Sequence, residues 1–385
     1  MAVRAGHART LPQFAAMLRN GDVAIRRLAH GECPNLPRNR LAAPLATTET
    51  HTHKALRGAS RSLLASTITA LEALENAGLD TQDCGVIIAG SNIAQAATFA
   101  ATNRFNAQPA YTPVRHGYEF FDTHLASVIA EIAALQGPGL SIGGASASGN
   151  TAVAIAADLI AIGRMDACLV VGPLPDLSPV EWQSLDAMGA LLPPEASACR
   201  PLDTRAQGFA PAEACAAIIL ESHTHARARN APALAQIAGS AIVMQPRHGA
   251  APNADAAYRA MTQALHQARI PPAALGYISA HATGAPAGDA AECAAIARLG
   301  ANAAVNATKS ITGHALQAAS LLELVALVLQ LQGGFIHGTA NLEHPIAPGL
   351  QGPDAIERDV EWALNNAFGF GGINTALLIR NGRAL

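Results

Sequence analysis

The stretch LSIGGASASGNTAVAIAADLIAIG, Leu140–Gly163, decides how the rest of this chain is read. A short apolar run, Leu140–Gly143, ends in paired glycines and passes through Ala145–Ser148. Near Gly149 it gives way to an alanine-rich segment with apolar residues at helical spacing. The pattern is strand, tight turn, helix. Small residues on both sides of Ser146 permit a strained turn that pushes one side chain into open space. That side chain meets the unpaired N–H groups and the positive dipole end of the helix that follows. Such a turn activates a nucleophile or holds an oxyanion. Taken alone, it reads more readily as a helix start with Ser146 and Ser148 as cap residues. A GxSxG elbow does not fit, because position 148 is serine.

Outward from this stretch the alternation repeats. Cys84–Gly90, Gly139–Gly143, Ala167–Gly172 and Ala217–Glu221 read as buried strands. Ser60–Ala77, Asp122–Leu135, Asn150–Gly163 and Asp289–Leu299 read as helices. Strands alternating with helices predict an α/β fold, a mainly parallel sheet covered on both faces. The polar segment His223–Pro232 breaks the alternation and divides the chain into residues 1–222 and 223–385. Beyond it Ala235–Val243, Gly276–Ala280, Ala303–Asn306 and Thr375–Arg380 resume as strands.

Composition narrows the function classes. The 385 residues are 50% apolar and only 14% charged, with a net charge of -3, so neither disorder nor nucleic-acid binding is expected. Six cysteines lie scattered without metal-ligand spacing, which predicts small core residues in a reducing compartment and no metal. The start MAVRAGHARTLPQF has no apolar h-region, so the cytoplasm is the expected location. The most apolar run, from Ser320, carries Glu323 and is too short to predict a membrane span.

Three further motifs carry chemistry. YISAHATGAPAGDAAECAAI sets His281 directly after a strand. VNATKSITGHALQAASLLELV carries Lys309, His314 and Glu323. NNAFGFGGINTALLIRN closes the chain with a glycine-rich loop before a strand. Two histidines just past strand ends, beside a lysine, mark the kind of loop cluster that builds sites in α/β sheets. The FGFGG run lacks dinucleotide spacing; its glycines are expected to let backbone N–H groups approach a ligand.

Together, in this order, the motifs resemble the β-ketoacyl synthases of fatty-acid and polyketide assembly. Those carry a cysteine elbow, an HGT histidine, a KxxxGH pair and a final GFGGxN loop. The block RPLDTRAQGFAPAEACAAIILE, Arg200–Glu221, is similar as well. The resemblance covers nearly the whole chain from Leu11. It implies a thiolase-like fold of two pseudo-equivalent βαβαβαββ halves in five α-β-α-β-α layers, a homodimer, and a substrate carried on the phosphopantetheine of an acyl carrier protein (ACP), with no resident cofactor. Residue by residue, it places Ser146 where the family has its acyl-accepting cysteine. His281 and His314 become donors to the thioester carbonyl, Lys309 the residue that orders them, and Glu323 its carboxylate. The N–H groups of Ser146 and Phe370 become the oxyanion hole, Phe209 the gate beside the departing carboxylate, and Thr283 a contact to the phosphopantetheine arm.

The departures shape the expected activity. Serine for cysteine removes the thiolate that makes acyl transfer fast near neutral pH. Decarboxylation needs only a bound malonyl thioester, an apolar pocket and donors for the enolate oxygen. The run GGASASGN resembles the serine-bearing, ketosynthase-like decarboxylases of polyketide β-branching cassettes, which work beside an HMG-CoA-synthase-like enzyme. That resemblance implies conversion of malonyl-ACP to acetyl-ACP. The alternatives are acyl transfer or condensation through Ser146, and a non-catalytic partner of the chain-length-factor kind. Lys309 and Glu323 read equally as a structural ion pair. Asp289 and Glu292 are expected to be solvated or structural, Asp203 to fix its loop, and Phe209 to be either the gate or a core aromatic.

Overall fold

Val86, Ile87 and Ile88 are all buried although consecutive strand residues point to opposite faces, so their strand is covered on both sides. The computed structural model describes residues 1–29, 33, 36–37, 39–45, 51–246, 249 and 251–384. The first half forms β1 (Ala2–Ala5), β2 (Gly85–Ala89), β3 (Gly139–Ile142), β4 (Ala167–Gly172) and β5 (Ala214–Glu221), in the order β1-β5-β4-β2-β3. The second forms β6 (Ala235–Met244), β7 (Leu275–Ser279), β8 (Ala304–Asn306), β9 (Trp362–Gly369) and β10 (Ile373–Asn381), in the order β6-β10-β9-β7-β8. In each sheet the first strand pairs antiparallel with the fifth, and the fifth antiparallel with the fourth. The fourth runs parallel to the second, and the second parallel to the third. The two sheets therefore share one topology. The polar segment after β5 holds a short helix, His223–Ala228, capped by Ser222.

The main helices are α1 (Leu11–Asn20), α2 (Arg61–Ala77), α3 (Gln95–Ala107), α4 (Thr123–Ala133), α5 (Ser148–Ala161), α6 (Pro179–Ala187), α7 (Ala254–Ala268), α8 (Pro286–Leu299) and α9 (Ala319–Gly333). Ser60 caps α2 by accepting from Leu63 N, and Gly78 closes it in the left-handed conformation. Between the sheets lie α5 and α9, and α1 packs against α9. The outer face of the first sheet is covered by α2 and α4, that of the second by α7 and α8. This gives the five layers of a thiolase-like fold. Its deepest element is α9, where Leu321, Leu322, Leu324 and Leu327 are at most 2% exposed. Each is worth roughly 1.5–3 kcal/mol on burial. With its preceding turn, Leu316–Gly333 is long and apolar enough to cross a membrane, contrary to the expectation from Ser320 onward, yet most of it is buried between the two sheets.

Several elements differ from the sequence reading. The helices α1, α3, α6 and α7 were not legible, and neither was β9. Asn365 and Asn366 make β9 look like a loop. In the structure Asn365 Nδ2 donates to Asn150 Oδ1 at 2.8 Å, and Asn150 Nδ2 donates back to Asn365 O at 2.9 Å. Paired in this way through its side-chain N–H and its backbone carbonyl, Asn365 is tolerated in a central strand.

Candidate active site

Ser146 lies in a tight turn, Ala145–Ala147, between β3 and α5. Ala145 is left-handed at φ 49°, a conformation that costs a residue with a Cβ on the order of 1–2 kcal/mol. Ser148 Oγ accepts from Gly144 N at 2.9 Å and donates to Ala145 O at 2.7 Å, which holds the turn closed. Gly143 is required because a methyl there would lie 2.5 Å from Ser91 Oγ. A methyl on Gly369 would run into Gly144 O, so this glycine lets the β9–β10 hairpin close on the turn. The same loop lines the cavity through Gly369, Phe370 and Gly372.

His281 follows β7 directly. His314 follows β8 through the short helix Lys309–Thr312. Glu292, on α8, accepts from His281 N and Ala282 N at 2.9 Å each and from Asn366 Nδ2 at 3.0 Å. Asp289, one turn earlier, accepts from Thr283 N, Gly284 N and Leu202 N. Both carboxyls are buried and hold the His281 loop, so the solvated reading is excluded for each. Burial raises them above the ordinary carboxylate range, Asp289 to about 7. Asp203 holds its own loop by accepting from Glu343 N and His344 N.

Lys309 and Glu323 are each 1% exposed and form a buried ion pair. Lys309 Nζ also donates to His281 O at 2.6 Å and faces His281 Nδ1 at 3.4 Å. Glu323, its carboxyl raised by burial and held down by Lys309, takes the third donor of the ammonium. With Nδ1 receiving from Lys309, the His281 proton sits on Nε2.

His314 Nε2 stands 3.0 Å from Ser146 Oγ, while Nδ1 is buried with no partner among the described residues. An orphaned lone pair is tolerated more readily than an orphaned N–H, so this ring too carries its proton on Nε2. Burial, then the Lys309 charge and for His281 also His314, hold both imidazoles well below their ordinary range. The two neutral rings lie 5.9 Å apart, edge to face. The Phe209 ring meets His314 at 4.9 Å, and Phe368 meets His281 at 5.6 Å.

A cavity of about 540 Å³ is lined by Ser146, His281, His314, Thr283, Phe209 and Phe370, among others. Phe370 sits at the hairpin tip, 46% exposed. Thr283 Oγ1 accepts from Ala285 N at 3.2 Å, which leaves its O–H free to donate. Lys309, Glu323 and Asp203 stand outside the lining. Among the described residues no group of three His, Cys, Asp or Glu side chains is placed to hold a metal. The sequence reading missed Phe368 and Gln317, which also line the cavity. The available signal for Gln317 was a glutamine within an otherwise apolar run.

The β-ketoacyl synthase N-terminal domain matches residues 1–226, and the C-terminal domain of the same family matches residues 234–343. The chain belongs to the β-ketoacyl synthase family. Within it, the chain is 34% identical over 352 residues to a polyketide biosynthesis malonyl-ACP decarboxylase, PksF of Bacillus subtilis, covering 88% of this chain and 84% of the relative. A crystal structure of a β-ketoacyl synthase from Burkholderia phymatum superimposes with a TM-score of 0.87 at 26% identity, covering 99% of both chains. A type II polyketide ketosynthase solved with its acyl-carrier protein superimposes with a TM-score of 0.84 at 26% identity, covering 99% of this chain and 97% of that one. At its turn this member carries Ser146, facing His314, with His281 and Lys309 beside them.

Proposed function

We propose that this β-ketoacyl synthase family member decarboxylates malonyl-ACP to acetyl-ACP and does not condense. The observation that carries the reading is the setting of His314, whose Nδ1 has no partner among the described residues while its Nε2 lies 3.0 Å from Ser146 Oγ. A serine nucleophile needs an imidazole with a bare Nε2 and an acceptor holding its Nδ1–H. His314 Nδ1 has no such acceptor among the described residues, so Nε2 is a donor and Ser146 Oγ an acceptor. The same geometry suits an enolate. The malonyl thioester oxygen accepts from His281 Nε2–H and His314 Nε2–H. The bond from Cα to the carboxylate carbon breaks, its electron pair passes into the enolate, and CO2 leaves. The enolate collapses as Cα takes a proton from water, which yields the acetyl thioester. Each donor of this kind is worth about 10²–10³-fold in rate. Buried Phe209 supplies the apolar wall that disfavours a carboxylate, and Thr283 is suited to the phosphopantetheine arm. The likeness to a malonyl-ACP decarboxylase supports the same substrate.

On this reading the substrate brings its own carrier and no resident cofactor is required. Acetyl-ACP would serve as the acetyl donor for β-branching in polyketide assembly. We further infer a homodimer, because β3 is a sheet-edge strand with Leu140 40% exposed, and a reducing location such as the cytoplasm, because the cysteines are free.

The test is intact-mass analysis of malonyl-ACP incubated with the protein and with His281→Ala and Ser146→Ala variants. Loss of CO2 by the wild type, abolished in His281→Ala and retained in Ser146→Ala, with no acyl adduct on the enzyme, is expected. Unchanged malonyl-ACP, or an acyl group on Ser146, refutes the reading.

A further inference from the structure

The turn that presents Ser146 occurs twice. Ala145–Ala147 precedes α5 with Ala145 at φ 49°, and Leu316–Ala318 precedes α9 with Leu316 at φ 49°. The two turns are in contact, and Gln317 holds in the second the place that Ser146 holds in the first. Gln317 lines the same cavity, with its stem packed against Gly90, where a methyl would lie 3.2 Å from Gln317 Cγ. It is 9% exposed, no hydrogen bond to its carboxamide is found among the described residues, and its polar atoms are not among the fully enclosed ones. A carboxamide on a side chain with so little exposure ordinarily finds partners, in protein, water or a ligand, for its two donors and its acceptor. The cavity that Gln317 lines is where one can arrive.

The rest of the lining says what that partner is. No lysine or arginine lines the cavity among the described residues, and both histidines are neutral. Glu181 is engaged at the start of α6, accepting from Ser178 N, and Asp289 and Glu292 are engaged by backbone N–H groups. An anion entering this site therefore meets neutral donors only. We propose, resting on the decarboxylase reading above, that the Gln317 carboxamide donates to the free carboxylate of the acyl group. It thereby selects a short dicarboxylic acyl unit over its decarboxylated product. A neutral donor orients the carboxylate without the ion pair that would hold its charge in place and oppose its departure. Once CO2 has left, the contact is gone, and the acetyl product is held less tightly than the substrate.

The experiment compares ACP loaded with malonyl or with acetyl through an amide in place of the thioester, so that neither turns over. Affinities are measured for the wild type, Gln317→Ala and Gln317→Leu, the last keeping most of the side-chain volume. The wild type is expected to bind the malonyl form about tenfold or more tightly than the acetyl form, as for a hydrogen bond to a charged group. Both variants are expected to lose that preference while holding the acetyl form as the wild type does. A preference retained in the variants, or absent in the wild type, overturns the proposal. Release of CO2 from native malonyl-ACP by the wild type is read separately, so failure of the carboxylate contact is distinguishable from failure of the decarboxylase reading.

Discussion

Replacing Lys309 with methionine separates the two roles its position allows. In the native protein its ammonium gives one donor to Glu323, one to His281 O and one toward His281 Nδ1. Lys309 and Glu323 are each 1% exposed, so removing the lysine leaves a carboxyl in the core with no counter-charge. Breaking a buried pair from one side costs about 3–5 kcal/mol, part of it relieved as Glu323 takes up a proton. At the same time His281 Nδ1 loses its donor, the proton is free to move onto it, and Nε2 ceases to point an N–H at the enolate. Loss of one such donor lowers the rate about 10²–10³-fold. The double variant Lys309→Met/Glu323→Leu divides these effects. Apolar replacement of a whole buried pair is commonly neutral for stability, so the urea midpoint should return toward the wild type while kcat stays as low as in the single variant. CO2 release from malonyl-ACP gives the rate, and urea unfolding gives the stability. A double variant that turns over like the wild type would show that the pair is structural and that His281 keeps its tautomer without Lys309.

With both histidines held well below the ordinary 6.5, their neutral donor form persists as pH falls through that value, so any loss of kcat between about pH 8 and about pH 6 should follow the buried carboxyl of Asp289, raised to about 7, and disappear in Asp289→Asn; a limb centred near 6.5 that survives this substitution would contradict the neutral-donor mechanism. Gly149→Ala puts a methyl into Leu321 N and 2.6 Å from Ser320 Oγ, so α5 and α9 must separate at a cost of at least about 1–3 kcal/mol in urea unfolding, whereas Gly117→Ala, with open space around it, should change stability by less than about 0.5 kcal/mol. Glu292→Gln turns one of two accepting oxygens into a donor facing a backbone N–H, and should cost about 1–3 kcal/mol and lower kcat through a misplaced His281, with KM little changed.

The strands and helices legible in the sequence were those whose surroundings are uniform. The run Val86–Ala89 and the cap Ser60 carry their own signal, because burial on both faces and a side-chain cap are local facts. β9 was hidden because the partner that satisfies Asn365 sits 215 residues away, at Asn150. Ser146, His281, Lys309 and His314 could be picked out by residue type and loop position. Their protonation pattern could not, because it rests on what surrounds each ring nitrogen. Gln317 was passed over for a related reason. In the sequence it interrupts an apolar run, and only the fold reveals that it occupies a second turn of the same winding, with no protein partner among the described residues.

That repeated turn bears on how such a site can be altered over generations or by design. In both copies the left-handed residue precedes the projecting one, at Ala145 and at Leu316, so the residue that shapes the backbone is not the residue that meets the substrate. Ser146 and Gln317 can therefore be exchanged for other side chains without rebuilding the turn beneath them. On the proposed roles, one position bears on whether an acyl group is held covalently and the other on which acyl group is admitted, and the two choices are made on touching turns of one scaffold.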